Sequence, residues 1–185
     1  MKFCSECAAP LIVEVPEGDH RPRHVCPKCS AIHYQNPRII VGTLPVHQGK
    51  IMLCRRGIEP RIDMWTLPGG FMENDESLAE GALRETWEES KASVEIEQLI
   101  SVISLPIVDQ VHCFFLANMP VAEYSTTEES TEIELFAPAD IPWQEIAFET
   151  VKTTLQHYIN SVQQSLTKPY QVCNTTLGPR KSDTY

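Results

Sequence analysis

The chain has 185 residues, 42% of them hydrophobic, and a formal net charge of −10 at neutral pH. That length supports one good core and a small satellite module, and without an apolar run of 18 residues there is no helical membrane span. An acidic balance with no basic stripe argues against a general nucleic-acid binder, so handling a polyphosphate here would take metal ions and a few local cations.

The N-terminal 36 residues carry Cys4-x2-Cys7 and, eighteen residues on, Cys26-x2-Cys29. Two such knuckles at that separation predict a structural four-cysteine Zn²⁺ site, because four thiolates close the tetrahedron and leave no open position for catalysis. A module of this size would need its metal to fold. Paired disulfides fit less well: Cys54, Cys113 and Cys173 lie outside the pattern, and the start of the chain reads as lacking a targeting segment. A reducing, cytoplasmic setting is therefore expected. His20, His24 and His33 are read as surface or hinge residues and not as zinc ligands.

Tyr34-Gln35-Asn36-Pro37 reads as the hinge into a main domain spanning 37–167. Residues 38–47 and 50–56 are apolar-rich strands around a His47-Gln48-Gly49 turn, a predicted hairpin. Trp65-Thr66-Leu67-Pro68-Gly69-Gly70 is a strand end that breaks into a turn and delivers the chain to a helix starting near Asp75 and Glu76.

On that helix Glu85, Glu88 and Glu89 stand at spacings of three and four, which gathers them into an arc of roughly 100°. Carboxylate oxygens on one face suit a hard divalent cation, Mg²⁺ or Mn²⁺. The opposite arc, with Ala79, Ala82, Leu83, Thr86 and Trp87, is expected to face a core, and Gly81 to leave room beside the carboxylates for a ligand.

Beyond the helix, 94–105 and 110–118 read as strands, 123–132 as an acidic loop and 134–137 as a short strand. Residues 138–142 are punctuation. A second helix is expected over 148–166, with Val151, Leu155, Tyr158, Ile159 and Val162 on its apolar stripe; 168–185 is polar, broken by proline and glycine, and expected to be a tail. Strands interleaved with two helices imply an α/β/α sandwich around a mixed sheet, preceded by a small zinc ribbon.

The stretch from Gly70 to Ala92 resembles the box of the Nudix hydrolases, G-x5-E-x7-R-E-U-x-E-E-x-G-U, with U a bulky apolar residue. Gly70, Glu76, Arg84, Glu85, Glu88 and Glu89 match it; Thr86 replaces the apolar residue and Lys91 the second glycine. A left-handed turn there costs a lysine about 1 kcal/mol. With FCSEC, YQNPRIIVG, WTLPGGFME and ELFAPADIPWQEIAF, the whole chain is similar to the zinc-ribbon Nudix branch that includes plant FAD pyrophosphatases. Ribbon-bearing NADH pyrophosphatases are similar in layout, but their SQPWPFPxS-like segment does not occur here, which makes NADH the weaker substrate.

The resemblance implies metal-dependent hydrolysis of a pyrophosphate in a nucleoside diphosphate linked to another moiety, with FAD or ADP-ribose favoured. It gives Gly69 as a backbone ligand beside Glu85, Glu88 and Glu89, and Glu76 and Arg84 as orienting groups. It also implies a glutamate from a loop after the sheet; Glu132 is favoured as metal ligand or base, with Glu129 next and Glu128 inert. Arg38, Arg55, Arg56 and Arg61 are the candidate phosphate cations, with Arg55, Arg61 and Phe71 the favoured substrate contacts. Tyr34, Trp65, Phe115 and Trp143 are further aromatic candidates. The partner is a small nucleotide and neither nucleic acid nor membrane, and a homodimer remains open. A nucleotide-binding sensor that does not cleave, and an RNA-directed enzyme docking through the ribbon, are the alternatives.

Overall fold

A computed structural model describes residues 1–163 and 171–179. The chain divides into two units, Met1–Pro37 and a second beginning at Arg38.

The first unit is a three-stranded antiparallel sheet of β1 (Ile12–Glu14), β2 (Arg23–Val25) and β3 (Ile32–His33), in that order. Its two cysteine knuckles are built alike. Ala8 N–H bonds Cys4 O and Ser30 N–H bonds Cys26 O, both at 2.9 Å, while Cys4 N–H and Cys26 N–H reach Ala9 O and Ala31 O, also at 2.9 Å. Each turn closes through a left-handed residue, Ala8 at φ 57° and Ser30 at φ 61°. So short a sheet has little apolar core, and the cross-link at the knuckles must hold it.

The second unit contains β4 (Arg38–His47), β5 (Lys50–Arg56), β6 (Trp65–Thr66), β7 (Gly69–Phe71), α1 (Leu78–Ser90), β8 (Glu95–Leu105), β9 (Gln110–Asn118), β10 (Ser130–Phe136), α2 (Glu149–Gln163) and β11 (Cys173–Thr176). The sheet runs β10-β5-β4-β9-β8-β11, with β6 on β5 and β7 on β4. It is mixed: β4 and β9 are parallel from Arg38↔Gln110 to Val46↔Asn118, whereas β4–β5 is the expected hairpin, turned through positive φ at Gln48 and Gly49.

Strand alternation sends Val41, Cys113 and Phe115 to one face, where they pack with Ala82 of α1. Leu44, Phe114 and Leu116 go to the other, against Val151, Leu155, Tyr158 and Ile159 of α2. The expected α/β/α sandwich results. Among the described residues no helix is long and apolar enough to cross a membrane.

Four expectations are corrected. Strand β10 begins at Ser130, so the acidic loop ends earlier and Glu132 lies within the sheet. Residues 173–176, expected in a tail, form β11, parallel to β8 from Cys173↔Ser101 to Thr176↔Ser104; 164–170 and 180–185 lie outside the described residues. Val162 is 45% exposed and off the buried stripe of α2. Trp87 is 50% exposed, because α1 buries Gly81, Ala82, Thr86, Glu89 and Ser90 instead. The buried face of α1 thus includes one of its own carboxylates.

Candidate functional site: a carboxylate cluster and its cavity

Helix α1 starts one residue after an N-cap that pattern reading missed. Ser77 Oγ accepts the Glu80 N–H at 3.3 Å while Glu80 Oε2 accepts the Ser77 N–H at 2.8 Å, a reciprocal capping box that fixes the helix entry. At the other end Lys91 takes the left-handed conformation at φ 56° and donates its N–H to Trp87 O. The lysine occupies the glycine conformation and its ammonium lies 5.7 Å from the Trp87 ring centroid. Thr86, at the box's apolar position, is fully buried; its hydroxyl donates to Ala82 O at 2.7 Å and pairs with Thr43 Oγ1 at 2.6 Å. A polar residue is tolerated there because its partner is also polar.

Arg84 is the hub of the cluster. Its Nε and Nη2 donate to the two oxygens of Glu76 at 3.0 and 2.8 Å, and Nη1 donates to Glu85 Oε1 at 2.8 Å and Glu88 Oε2 at 3.0 Å. Nη2 also reaches Phe71 O at 3.1 Å. The guanidinium, with the Glu73 N–H, holds the Glu76 carboxyl down to about 2. Gly81 does not make room for a ligand: a Cβ there would stand 2.6 Å from Glu76 Oε1, so the space already belongs to Glu76. At Gly70 a Cβ would meet the Glu85 carboxylate, 2.6 Å from its Cδ, so the turn passes close over the helix only because residue 70 has no side chain.

Glu89 is only 8% exposed and accepts the Gly69 N–H at 3.2 Å. Burial pushes its carboxyl up to about 8, the neighbouring anions Glu85 and Glu129 push the same way, and the Gly69 N–H opposes them. Burial also raises Glu85, reinforced by Glu88 and Glu129 and opposed by Arg84. Clustered, partly desolvated carboxylates of this kind lack positive charge, and an all-oxygen donor set suits a hard divalent cation.

These groups open onto a cavity of about 780 Å³, a size that suits a nucleotide derivative. Gly69, Gly70, Arg84, Glu85, Glu88 and Glu89 line one part of it, with Glu129 and Arg56. Glu132 does not. The β10–β5 pairing carries a bulge between Ser130 and Glu132, which sets Glu132 opposite Arg55, where Arg55 Nη1 donates to Glu132 Oε2 at 2.9 Å. That bond pairs Arg55, expected at the substrate, with Glu132, expected as metal ligand or base. Arg61 is likewise outside the lining, in a loop held by Arg55 Nε on Asp63 O at 2.9 Å and Arg56 Nε on Pro60 O at 2.7 Å. Phe71 does line the cavity, 49% exposed, with the Arg38 guanidinium 5.0 Å from its centroid.

Of the other aromatic candidates, Trp65 and Phe115 are buried and Trp143 packs against the core. Tyr34 belongs to the ribbon, under the Arg23 guanidinium. Residues that pattern reading missed are Gln110, His112, Phe114, Phe148 and Thr150, all lining the cavity. A signal existed: 110 and 112 are polar on the same strand face that carries Phe114 and Leu116.

In the ribbon the four cysteine Sγ atoms lie within 4.8 Å of one another, with Cys4–Cys29 at 3.6 Å, Cys7–Cys26 at 3.4 Å and Cys7–Cys29 at 3.6 Å. A tetrahedron with Zn–S bonds of about 2.3 Å has edges of about 3.8 Å, so the set fits zinc and is far too open for disulfides. Backbone N–H groups of Cys29 and Lys28 hold the Cys26 thiol down to about 6, favouring the thiolate. His33 Nε2 lies 3.3 Å from Cys4 Sγ, a contact to a ligand sulfur that its surface assignment did not foresee.

The model of the Nudix domain matches residues 36–155, and that of the Nudix N-terminal zinc ribbon matches residues 2–35. The chain belongs to the Nudix hydrolases. A Nudix hydrolase from Nitrosomonas europaea of known structure shares 43% identity at a TM-score of 0.91, covering 97% of this chain and 100% of that one. The NAD-capped RNA hydrolase NudC of Chromobacterium violaceum is 37% identical over 118 residues, 63% of this chain and 42% of that protein. An ADP-ribose pyrophosphatase of Methanocaldococcus jannaschii is 28% identical over 123 residues, 64% of this chain and 72% of that protein. The chain therefore spans less than half the length of its NudC relative.

Proposed function

We propose that this Nudix hydrolase cleaves the pyrophosphate of a nucleoside diphosphate linked to a second moiety, ADP-ribose or FAD in the first instance. The observation that carries the reading is the juxtaposition of Glu85, Glu88 and the buried Glu89 with Glu129 and Arg56 at one cavity of about 780 Å³. The names of its relatives, an ADP-ribose pyrophosphatase and an NAD-capped RNA hydrolase, support a dinucleotide-like substrate.

Glu85, Glu88 and Glu89 would hold Mg²⁺ or Mn²⁺, which supplies charge neutralisation at the phosphates and a lowered pKa for the attacking water. The protein's own groups do the rest. Arg84 holds Glu85 and Glu88 through one oxygen of each, which fixes the two carboxylates beside the cavity. Gly69 orients Glu89 through its N–H. Arg56, fixed by Pro60 O and stacked 5.1 Å from the Phe148 centroid, offers cationic charge to a phosphate. Glu129 is the group proposed to take the proton of the water as its oxygen attacks phosphorus and the bond to the bridging oxygen breaks.

Purified protein with Mg²⁺ or Mn²⁺ and a nucleotide panel tests this, with products identified by mass. AMP with ribose 5-phosphate from ADP-ribose, or AMP with FMN from FAD, is the expected result; an intact panel contradicts it. The NudC relationship gives an RNA-directed reading its one support, and salt-dependent RNA binding would reveal it. The net charge of −10 opposes it.

A further inference from the structure

The same cavity carries a hydrogen-bonded chain of three polar residues. His112 Nε2 lies 3.1 Å from Gln110 Oε1, and His112 Nδ1 lies 3.1 Å from Thr150 Oγ1. All three line the cavity, beside Phe114 and Phe148. Strand alternation puts Gln110, His112 and Phe114 on one face of β9, and Thr150 stands in the first turn of α2.

With the Gln110 amide oxygen facing the ring, Nε2 of His112 carries the proton, because a carboxamide oxygen only accepts; in a neutral ring Nδ1 then accepts, and the Thr150 hydroxyl is its donor. Burial keeps the ring neutral, lowering its pKa to about 4. The Thr150 hydroxyl, which can donate or accept, satisfies Nδ1 in this arrangement, and the amide and ring orientations are mutually consistent. Were Gln110 flipped, its NH₂ would face the His112 N–H, donor against donor. Its Nε2 donors and the second lone pair of Oε1 are left for another partner.

We infer that Gln110, hydrogen-bonded to His112 with Thr150 behind it, is a specificity-determining residue that reads a planar ring bearing adjacent acceptor and donor groups, adenine being the ring it fits. Adenine offers N7 to the amide N–H and its 6-amino group to Oε1, the bidentate pairing of a carboxamide with that base edge. Hypoxanthine presents two acceptors along the same edge and would set its 6-oxo group against Oε1. This inference rests on the reading that an ADP-linked compound is the substrate, and it names the part of the protein that selects it.

The test is equilibrium binding of ADP-ribose and of its hypoxanthine analogue, inosine diphosphate ribose, to the full chain with zinc retained and Ca²⁺ in place of Mg²⁺. Wild type should bind ADP-ribose about tenfold or more tighter. Gln110→Leu should bring the ratio close to one, and so should Gln110→Glu, which keeps the bond to His112 but has no donor for N7. Thr150→Ser, which keeps the hydroxyl, should keep the preference; Thr150→Val, which leaves Nδ1 of His112 without its partner and loosens the ring behind Gln110, should lose much of it. A wild-type ratio near one, or an undiminished ratio in both Gln110 variants, overturns the inference. Equal ratios in the two Thr150 variants overturn the role of His112 and Thr150. Turnover with Mg²⁺ is scored separately. A preserved binding ratio without AMP release contradicts the hydrolytic reading alone, while AMP release without a ratio contradicts the ring-reading alone.

Discussion

Gly69 donates its backbone N–H to Oε2 of Glu89 at 3.2 Å, tying the turn before the first long helix to a carboxylate near that helix's end. This bond opposes only part of the cost of burying Glu89, whose carboxyl is raised from 4.5 to about 8. A raised carboxyl binds its proton more tightly in the folded state than in the unfolded one. Its contribution to stability is therefore complete below about pH 4.5 and is lost as pH rises through about 8. In magnesium-free buffer with zinc retained, the thermal midpoint should fall across this window, less steeply in Glu89→Gln. Added Mg²⁺ should recover most at the alkaline end. Parallel pH profiles for wild type and variant would contradict the assignment.

The two glutamates flanking the β10 bulge should separate. Glu129→Gln should lower kcat by on the order of 10- to 100-fold, as loss of a general base or ligand does. Glu132→Gln should keep near-wild-type kcat, because Glu132 is bonded to Arg55 and does not line the cavity. Steady-state kinetics at saturating substrate and metal decide it; a crippled Glu132→Gln beside an active Glu129→Gln would return the role to Glu132.

The Thr43–Thr86 pair gives a double-mutant cycle. Thr86→Val leaves the buried Thr43 hydroxyl without its partner and should cost about 1–3 kcal/mol. Thr43→Val leaves Thr86 still donating to Ala82 O and should cost less. The double variant should lie closer to wild type than Thr86→Val does. Denaturant unfolding of the four proteins measures the coupling, and strict additivity would show that the hydroxyls act independently.

Much of this is legible in the sequence. A period of 3.6 is enough to gather Glu85, Glu88 and Glu89, and the CxxC spacing alone foretold the thiol cluster. What sequence did not reveal depends on tertiary register. The bulge between Ser130 and Glu132 decides which glutamate meets Arg55, and nothing local announces it. Trp87 stands on the arc opposite the three carboxylates, which points it to the core, yet the helix turns Glu89 inward and Trp87 out. Gly81 was read as space for a ligand, although Glu76 fills it from outside the helix. Gln110 and His112 could have been noticed as polar intrusions on an otherwise apolar strand face.

Removing a ribbon thiolate should act on that module. Cys26→Ser should abolish stoichiometric zinc and expose the amides of Met1–Pro37 to rapid hydrogen exchange, since coordination supplies much of its folding energy. Elemental analysis with exchange mass spectrometry reads both. A protein that holds no zinc in the wild type, with all four thiols titrating freely, would contradict the zinc reading.

The most direct test of the central proposal is kcat for ADP-ribose or FAD hydrolysis, with Mg²⁺, in wild type, Glu85→Gln and Glu89→Gln. Each change removes one anionic oxygen donor and keeps the side chain's shape. Both variants should fold and lose on the order of 10²-fold or more in kcat. Near-wild-type turnover in both would contradict the placement of the chemistry on this helix face.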